Sequence, residues 1–423
     1  MSFHRTLLLI CAVLSGAACT ARAGSGGSTY SMLGLGDIRY MPGARGAGMG
    51  YTGIALPTSQ FINPTAPATW ARITRTRVDA SLLYEGFNTS DGFDSRYLSE
   101  FNFAGALLAI PISQVDGIVL VGGFTPYSNV SFDLATSGTY ESGSEEINYS
   151  LRHVGTGGLG QAQIGLSYSP RDLLAVGASL NYVFGTIEKT TQMTAIPDIY
   201  GTGNRKEMNY IRGVVANVGA LYSGFAGVLR PLTVGVNVTT PSVFSSTIQK
   251  SFIYTGGSDN TTTDYDTLSE INANISVPIA LGFGITWAAS DRLVFAADYR
   301  MQPWGSSEFY GEKPAGLRNS QMAGIGFEMG PTRDPAASFW NTIAYRLGFY
   351  YNATYYEVKG VPINEWSGTV GLSVPISGDT RLNLSGEYGV RGKTSSALVK
   401  ETVFRFTASV TLGEMWFVRP EED

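Results

Sequence analysis

Apolar and polar residues alternate with a period of two along most of this chain. Over 173–186, Leu174, Val176, Ala178, Leu180, Tyr182 and Phe184 alternate with Ala175, Gly177, Ser179, Asn181 and Val183. The same rhythm returns in Leu293, Phe295, Ala297, Tyr299 and Met301 against Val294, Ala296, Asp298 and Arg300. It returns again in Ile343, Tyr345, Leu347, Phe349 and Tyr351 against Thr342, Ala344, Arg346, Gly348 and Tyr350. Near the end Phe404, Phe406, Ala408, Val410 and Leu412 oppose Val403, Arg405, Thr407, Ser409 and Thr411. Such alternation predicts strands with one large apolar face and one small or polar face. Fourteen of them are expected, near 75–88, 97–112, 116–126, 160–169, 172–187, 207–223, 231–240, 270–289, 291–302, 317–330, 340–352, 365–376, 379–390 and 400–413. The longest apolar run after the first twenty residues, 276–289, contains Pro278 and falls short of the roughly 20 residues a spanning helix needs.

The expected links alternate. Those after even strands are turn-like, such as Ser113-Gln114-Val115, Pro170-Arg171 and Ser377-Gly378; those after odd strands are longer and polar, such as 127–159, 188–206 and 241–269. Short turns at one end and long loops at the other are the habit of outer-membrane barrels, and a soluble sandwich has no reason to keep that parity. Aromatic residues at strand ends (Tyr299 with Trp304, Tyr350 with Tyr351, Trp366, Trp416 with Phe417) are expected to form the interfacial girdles. The predicted fold is therefore all-β: a closed antiparallel transmembrane β-barrel of about 14 strands, with an N-terminal plug in its lumen. In hydrocarbon an unpaired backbone polar group costs several kcal/mol, so the last strand must pair with the first. The same parity sends Asp298, Arg300, Glu328, Arg346, Arg381, Glu387 and Arg405 into the lumen, where they read first as ion pairs bracing the wall. The expected layout is a signal peptide at 1–23, a plug at 24–74, the barrel at 75–413 and a periplasmic tail at 414–423.

Composition agrees. Charged residues are 15% of the chain, against about 25% in ordinary soluble proteins, and there are 52 glycines. With 29 basic residues, seven of them Lys, against 34 acidic, the chain lacks the electrostatic footprint of nucleic-acid binding. Arg5, the apolar run 6–18 and Ala21-Arg22-Ala23 form a secretory signal with cleavage after Ala23. Processing as a lipoprotein at Cys19 is the alternative. Both cysteines, Cys11 and Cys19, precede the cleavage point, which removes disulfides and Cys-ligated metals from the mature chain. No cofactor and no metal site is expected: Asp259, Asp264 and Asp266 form a charge run without EF-hand spacing. No catalytic residue is assigned either, since His153, the one histidine past the signal, is expected in a long polar loop and apart from any strand serine.

Residues 24–74 are Gly-rich and irregular. The segment from Gly34-Leu35-Gly36-Asp37 through Arg45, Gly48-Met49-Gly50 and Gly53-Ile54-Ala55 to Asn63-Pro64, ahead of a fourteen-strand barrel, resembles the FadL family of outer-membrane transporters for long-chain fatty acids and aromatic hydrocarbons. The closing segments 387–392 and 400–405 look like its divergent members. The resemblance implies an N-terminal hatch, with Met49, Phe61, Asn63 and Pro64 on the ligand path; the family's Asn-Pro-Ala stands here as Asn63-Pro64-Thr65. It also implies an inward kink in the third strand, for which Gly122, Gly123, Phe124 and Pro126 are the candidates for a lateral opening. The implied activity is passive uptake of a small hydrophobic molecule at the Gram-negative outer membrane, with lateral exit into lipid and no enzyme chemistry; a monomer suffices. Val243-Phe244 and Phe252-Ile253-Tyr254 are either capture groups in loops or strand extensions above the membrane. A rival remains, because some FadL-like barrels resemble the PorV-type components that hold secreted proteins at the outer membrane. A continuous apolar tunnel favours transport; a polar, plugged lumen favours a protein partner.

Overall fold

The computed structural model describes residues 24–40, 43–142, 145–171, 173–196, 201–255, 262–332, 334, 336–395 and 398–414. The wall consists of β1 (Thr76–Ser90), β2 (Ser95–Ser113), β3 (Ile118–Asn129, resumed as Phe132–Ser142), β4 (Glu145–Arg171), β5 (Leu174–Ile196), β6 (Thr202–Tyr222), β7 (Leu232–Thr239 and Ser242–Thr255), β8 (Thr262–Val277 and Ala280–Ala288), β9 (Leu293–Gln302), β10 (Ser320–Met329), β11 (Ala344–Val358), β12 (Val361–Ser377), β13 (Thr380–Ser395) and β14 (Leu398–Glu414). Each pairs antiparallel with the next, and β14 returns to β1 in unbroken register from Glu414↔Thr76 to Lys400↔Ser90. The fold is a closed fourteen-strand barrel. Closure leaves no wall end unpaired, as a lipid environment requires. β7 and β8 are interrupted where Pro241 and Pro278, which have no N–H to donate, fall between their two halves.

The two faces sort as the alternation predicts. Phe404 and Phe406 are 43% and 48% exposed while Arg405 between them is 8% exposed. On β5, Leu180 and Tyr182 face outward and Ser179 and Asn181 are buried. The outside is thus the apolar face, and the interior carries the polar side chains.

Three expectations need correction. The long links are mostly ladder: 132–142 pairs with 145–155, 186–194 with 202–210, and 242–255 with 262–277. These segments carry small, β-branched and hydroxyl residues that extend a sheet once its inner half is anchored. His153 accordingly lies on β4, its Nδ1 3.0 Å from Thr191 Oγ1 on β5. The segment Ser242–Thr255 is strand, with Phe244 fully buried, so Val243-Phe244 and Phe252-Ile253-Tyr254 are strand extensions. Among the expected girdle residues, Tyr299, Tyr351 and Trp366 face outward, but Trp304 and Tyr350 are buried inside. Trp304 sits in a helical turn after β9 that folds back over the lumen, and Tyr350 has the inward parity of β11. Trp416 and Phe417 lie outside the described residues, as does Asp259.

Candidate functional site: the plugged lumen and the wall seam

Inside the wall run residues 24–40 and 43–73, with one turn of helix at Ala44–Ala47 and 3₁₀ turns at Thr29–Met32 and Pro67–Arg72. They can pass so close because the inward positions beside them are glycines. A Cβ on Gly324 would lie 2.2 Å from Gly50 O, one on Gly348 2.2 Å from Gly50 N, one on Gly284 2.8 Å from Ala55 N, and one on Gly177 2.4 Å from Pro67 C. The wall is therefore carved, residue by residue, to the backbone of this segment.

Charges fix it in place. Arg405 on β14 donates through Nε to Glu85 on β1 at 2.8 Å and through Nη1 to Glu365 on β12 at 2.7 Å, and it also pairs with Glu387 on β13. From the plug, Arg39 Nη1 donates to the same Glu85 at 2.8 Å, and Tyr51 donates its hydroxyl to Glu387 at 3.0 Å. Nearer the outer end, Arg391 binds Glu365 at 2.8 Å and the plug's Asp37 at 2.9 Å, while Ser28 Oγ and Thr29 N each donate to Glu401 at 2.7 Å. Nearer the turn end, Arg45 grips Glu328 with two hydrogen bonds, 2.9 and 2.8 Å, and Arg346 donates to that carboxylate at 2.6 Å. Asp298 accepts from Gly53 N and Ile54 N at 2.7 and 2.9 Å, and Arg300 Nη1 donates to Tyr51 O at 2.8 Å. Arg381 instead holds Ser373 and the Thr342 carbonyl on the wall.

All seven wall charges named from parity thus point inward. Sequence reasoning missed their partners, namely Glu85, Glu365, Arg391 and Glu401 on the wall and Asp37, Arg39 and Tyr51 in the plug. One signal was available for the wall partners: Glu387, Arg405 and Glu85 stand directly opposite one another in register, as do Glu365 with Arg391 and Glu328 with Arg346.

The plug residues expected on a ligand path are packed within the plug and against the wall. Asn63 is 2% exposed, donating to Gly53 O at 2.9 Å and accepting from Thr65 N at 3.0 Å, while its carbonyl accepts from Trp70 Nε1 at 2.6 Å. It braces the plug's own loop, and Pro64 lies within that turn. Met49 is fully buried beside Gly326 and Gly348, and Phe61 lies against the Arg45 guanidinium, 5.9 Å from ring centroid to Cζ.

Above the charged layer, plug residues Tyr30 and Leu35 pack with Phe132, Phe244, Ile275, Trp304, Tyr355 and other wall side chains into one apolar cluster that fills the outer lumen. Below it, Ile62, Trp70 and Ile73 pack against β2 and β3. Among the described residues the lumen holds cavities of about 70 and about 120 Å³, both lined by Ile38, Arg39, Tyr40 and Met322, and one of about 10 Å³ beside Arg45, Phe61 and Arg381.

The wall itself has a seam. β2 and β3 pair from Ser113↔Ile118 only as far as Ala106↔Phe124, above which each keeps its other neighbour but not this one. Gly122 and Gly123 are paired on both sides, so they are not where the strands part. A Cβ on Gly123 would lie 2.2 Å from Ala106 O, which shows the glycine holding β3 tight against β2. The separation begins past Phe124, at Thr125 and Pro126. Into it the plug inserts its own backbone: Gly24–Ser25 pairs parallel with Leu98–Ser99 of β2, Gly27 N donates to Ser131 O at 3.1 Å, and Asp37–Ile38 pairs antiparallel with Ser128–Asn129 of β3.

Several solved structures share this architecture. The Ralstonia pickettii toluene transporter TbuX is 16% identical over 88% of this chain and 98% of its own, with a TM-score of 0.56. A Pseudomonas aeruginosa FadL homologue is 11% identical over 89% and 99%, with a TM-score of 0.60. The Pseudomonas putida toluene transporter TodX is 16% identical over 90% and 99%, with a TM-score of 0.54. These likenesses establish the fold. No curated protein matches the chain. The BamG family matches residues 3–421, nearly the whole sequence, and the chain belongs to that family.

Proposed function

We propose that this protein is a sealed barrel of the Gram-negative outer membrane whose work is done on other proteins, as a binding component for exported or surface-located partners. The observation that carries this reading is the filled lumen. Pockets for small molecules commonly run to roughly 300–1,000 Å³ and are mostly apolar. The larger lumen cavities here hold about 70 and about 120 Å³ and are bordered by Asp37, Arg39, Glu365, Arg391 and Arg405 in one and by Arg39 and Arg300 in the other. Opening a hydrocarbon path through them requires parting several buried ion pairs, each a loss of about 3–5 kcal/mol when one partner is left alone. Outside the membrane, by contrast, the strand Phe132–Ser142 pairs on one side alone among the described residues.

One observation favours a second reading, the uptake of small hydrophobic molecules with lateral exit. The seam between β2 and β3 is a gap in the wall, closed by plug backbone instead of a wall strand. The named neighbours with this fold transport toluene or are FadL homologues.

Purification of the full-length protein from outer membranes in mild detergent separates the two. Quantitative mass spectrometry is expected to show a stoichiometric protein partner. An apolar small molecule in place of a partner, together with uptake of toluene or a long-chain fatty acid by liposomes holding the barrel, would establish the second reading and defeat the first.

A further inference from the structure

The seam continues upward as an uncovered edge. Beyond Asn129, β3 resumes as Phe132–Ser142, which pairs with β4 from Phe132↔Gly155 to Ser142↔Glu145; among the described residues no strand pairs with its other side. A membrane-crossing strand needs about 9–11 residues, yet β4 has 27 residues and β5 has 23. Their apolar outward positions, such as Ile164, Leu166 and Leu180, lie in the halves nearer the turn end, and Thr186, Glu188, Thr190 and Gln192 take over the outward face above them. The edge therefore stands outside the bilayer, as one border of a tall sheet.

Proteins blunt exposed edges with Lys, Pro, bulges or a covering loop. Between Phe132 and Ser142 there is no Lys and no Pro; the run Ala-Thr-Ser-Gly-Thr-Tyr occupies 135–140, most of it exposed, with Tyr140 62% exposed. Its base is fixed: Asp133 accepts from Arg152 at 2.9 and 2.8 Å and from Arg96 at 3.3 Å. A rigid, hydroxyl-rich edge of low charge offers a template for another strand. The lower part of the same seam already works in this way, since Asp37–Ile38 adds to β3 at Ser128–Asn129 and Gly24–Ser25 adds to β2.

We propose that the edge 133–141 is the docking site for an extended segment of a protein partner, which joins the sheet as an added strand where the plug's own strand addition stops. This rests on the partner-binding reading and gives it a place and a mode.

The test uses the full chain in its own outer membrane, with a benzophenone amino acid placed in turn at Ala135, Ser137 and Thr139. The expected result is an adduct with the same partner from all three, the attachment points stepping along the partner about two residues at a time, as a strand pair dictates. Backbone groups of odd residues face the free side, as Ser131 N does toward Ser31 Oγ, while Val130 N bonds Gly157 O on β4. Ser137→Pro, which removes one donor from that side, is expected to abolish the adducts from Ala135 and Thr139, and Ser137→Val to keep them. Hydrogen exchange on the unaltered protein gives an independent reading: amides of 133–141 are expected to exchange at least tenfold more slowly in the partner complex than in the purified barrel. Scattered attachment points, adducts indifferent to Ser137→Pro, unchanged exchange, or adducts with a second copy of this chain would overturn the proposal. A partner that co-purifies undiminished with Ser137→Pro would remove this edge and leave the partner-binding reading standing; absence of any protein partner would remove both.

Discussion

Arg405 and Glu85 face each other across the line where the barrel closes, Nε to Oε1 at 2.8 Å, one on the last strand and one on the first. The pair does two things. It ties β14 to β1 from the inside, and through Arg39, which shares the same carboxylate, it ties both to the plug. Both side chains are buried, at 8% and 0% exposure. Removing the anion leaves Arg39 with Glu100 at 3.9 Å as its remaining salt-bridge partner among the described residues, in a low-dielectric interior, while Arg405 keeps Glu365 and Glu387. Glu85→Gln is therefore expected to destabilise the folded barrel by about 3–5 kcal/mol, read as a lowered midpoint in urea by the gel shift between folded and unfolded barrel. A midpoint equal to that of the unaltered protein would show that the remaining carboxylates Glu100, Glu365 and Glu387, and not Glu85, hold Arg39 and Arg405.

The seal can be tested electrically. Arg45 is held by Glu328 alone among the described acidic residues, through two hydrogen bonds, and Arg346 shares that carboxylate. Glu328→Gln leaves two like charges facing each other and loosens the middle of the plug. In planar bilayers the unaltered barrel is expected to be silent, and Glu328→Gln to show ion conductance. Open-channel current from the unaltered protein would contradict the sealed lumen from which the functional reading starts.

At the seam, one carboxylate does the holding. Glu401 accepts from Ser28 Oγ and from Thr29 N, both at 2.7 Å, next to the backbone that fills the gap. Its replacement by Gln keeps the shape but weakens two charge-assisted hydrogen bonds, which are roughly twice as strong as neutral ones. Amides of 24–31 are expected to exchange about tenfold faster in Glu401→Gln, with those of β5 unchanged. Equal exchange in the two proteins would mean that the strand pairing alone keeps the seam shut.

Much of this was legible in the sequence, and the limit has a physical cause. Period-two alternation reports which face of a strand meets lipid, so the inward parity of Arg405, Arg346 and Glu328 could be read from the pattern around each. Alternation says nothing about where a strand stops once it leaves the membrane. Outside it the outward face turns polar as well, which is why 127–159 reads as loop while 132–142 and 145–158 turn out to be ladder. The plug was harder still. Its contacts are set by backbone packed into glycine, and a glycine such as Gly348 carries the same signal whether it relieves curvature or seats another chain. Trp304 illustrates a further blind spot: an aromatic just past a strand end looks like a girdle residue until the following turn is seen to carry it inward.

The glycine seats yield the sharpest comparison. Gly324 and Gly368 are both strand glycines with no special backbone requirement, and composition does not tell them apart. A Cβ on Gly368 meets nothing within 4 Å, because that position faces outward. A Cβ on Gly324 would sit 2.2 Å from the Gly50 carbonyl oxygen, far inside contact distance. Backbone cannot rotate out of the way as a side chain can, so Gly324→Ala must push the plug or the strand aside. Such overpacking typically costs about 1–3 kcal/mol, and the displaced plug loses its neighbouring contacts at Met49 and Thr52. Gly368→Ala is expected to match the unaltered protein in urea midpoint and in resistance of the plug to added protease, whereas Gly324→Ala lowers the midpoint and exposes residues 43–56 to cleavage. Identical behaviour of the two variants would mean that the plug does not rest on β10 at Gly50, and the carved fit between plug and wall would have to be abandoned.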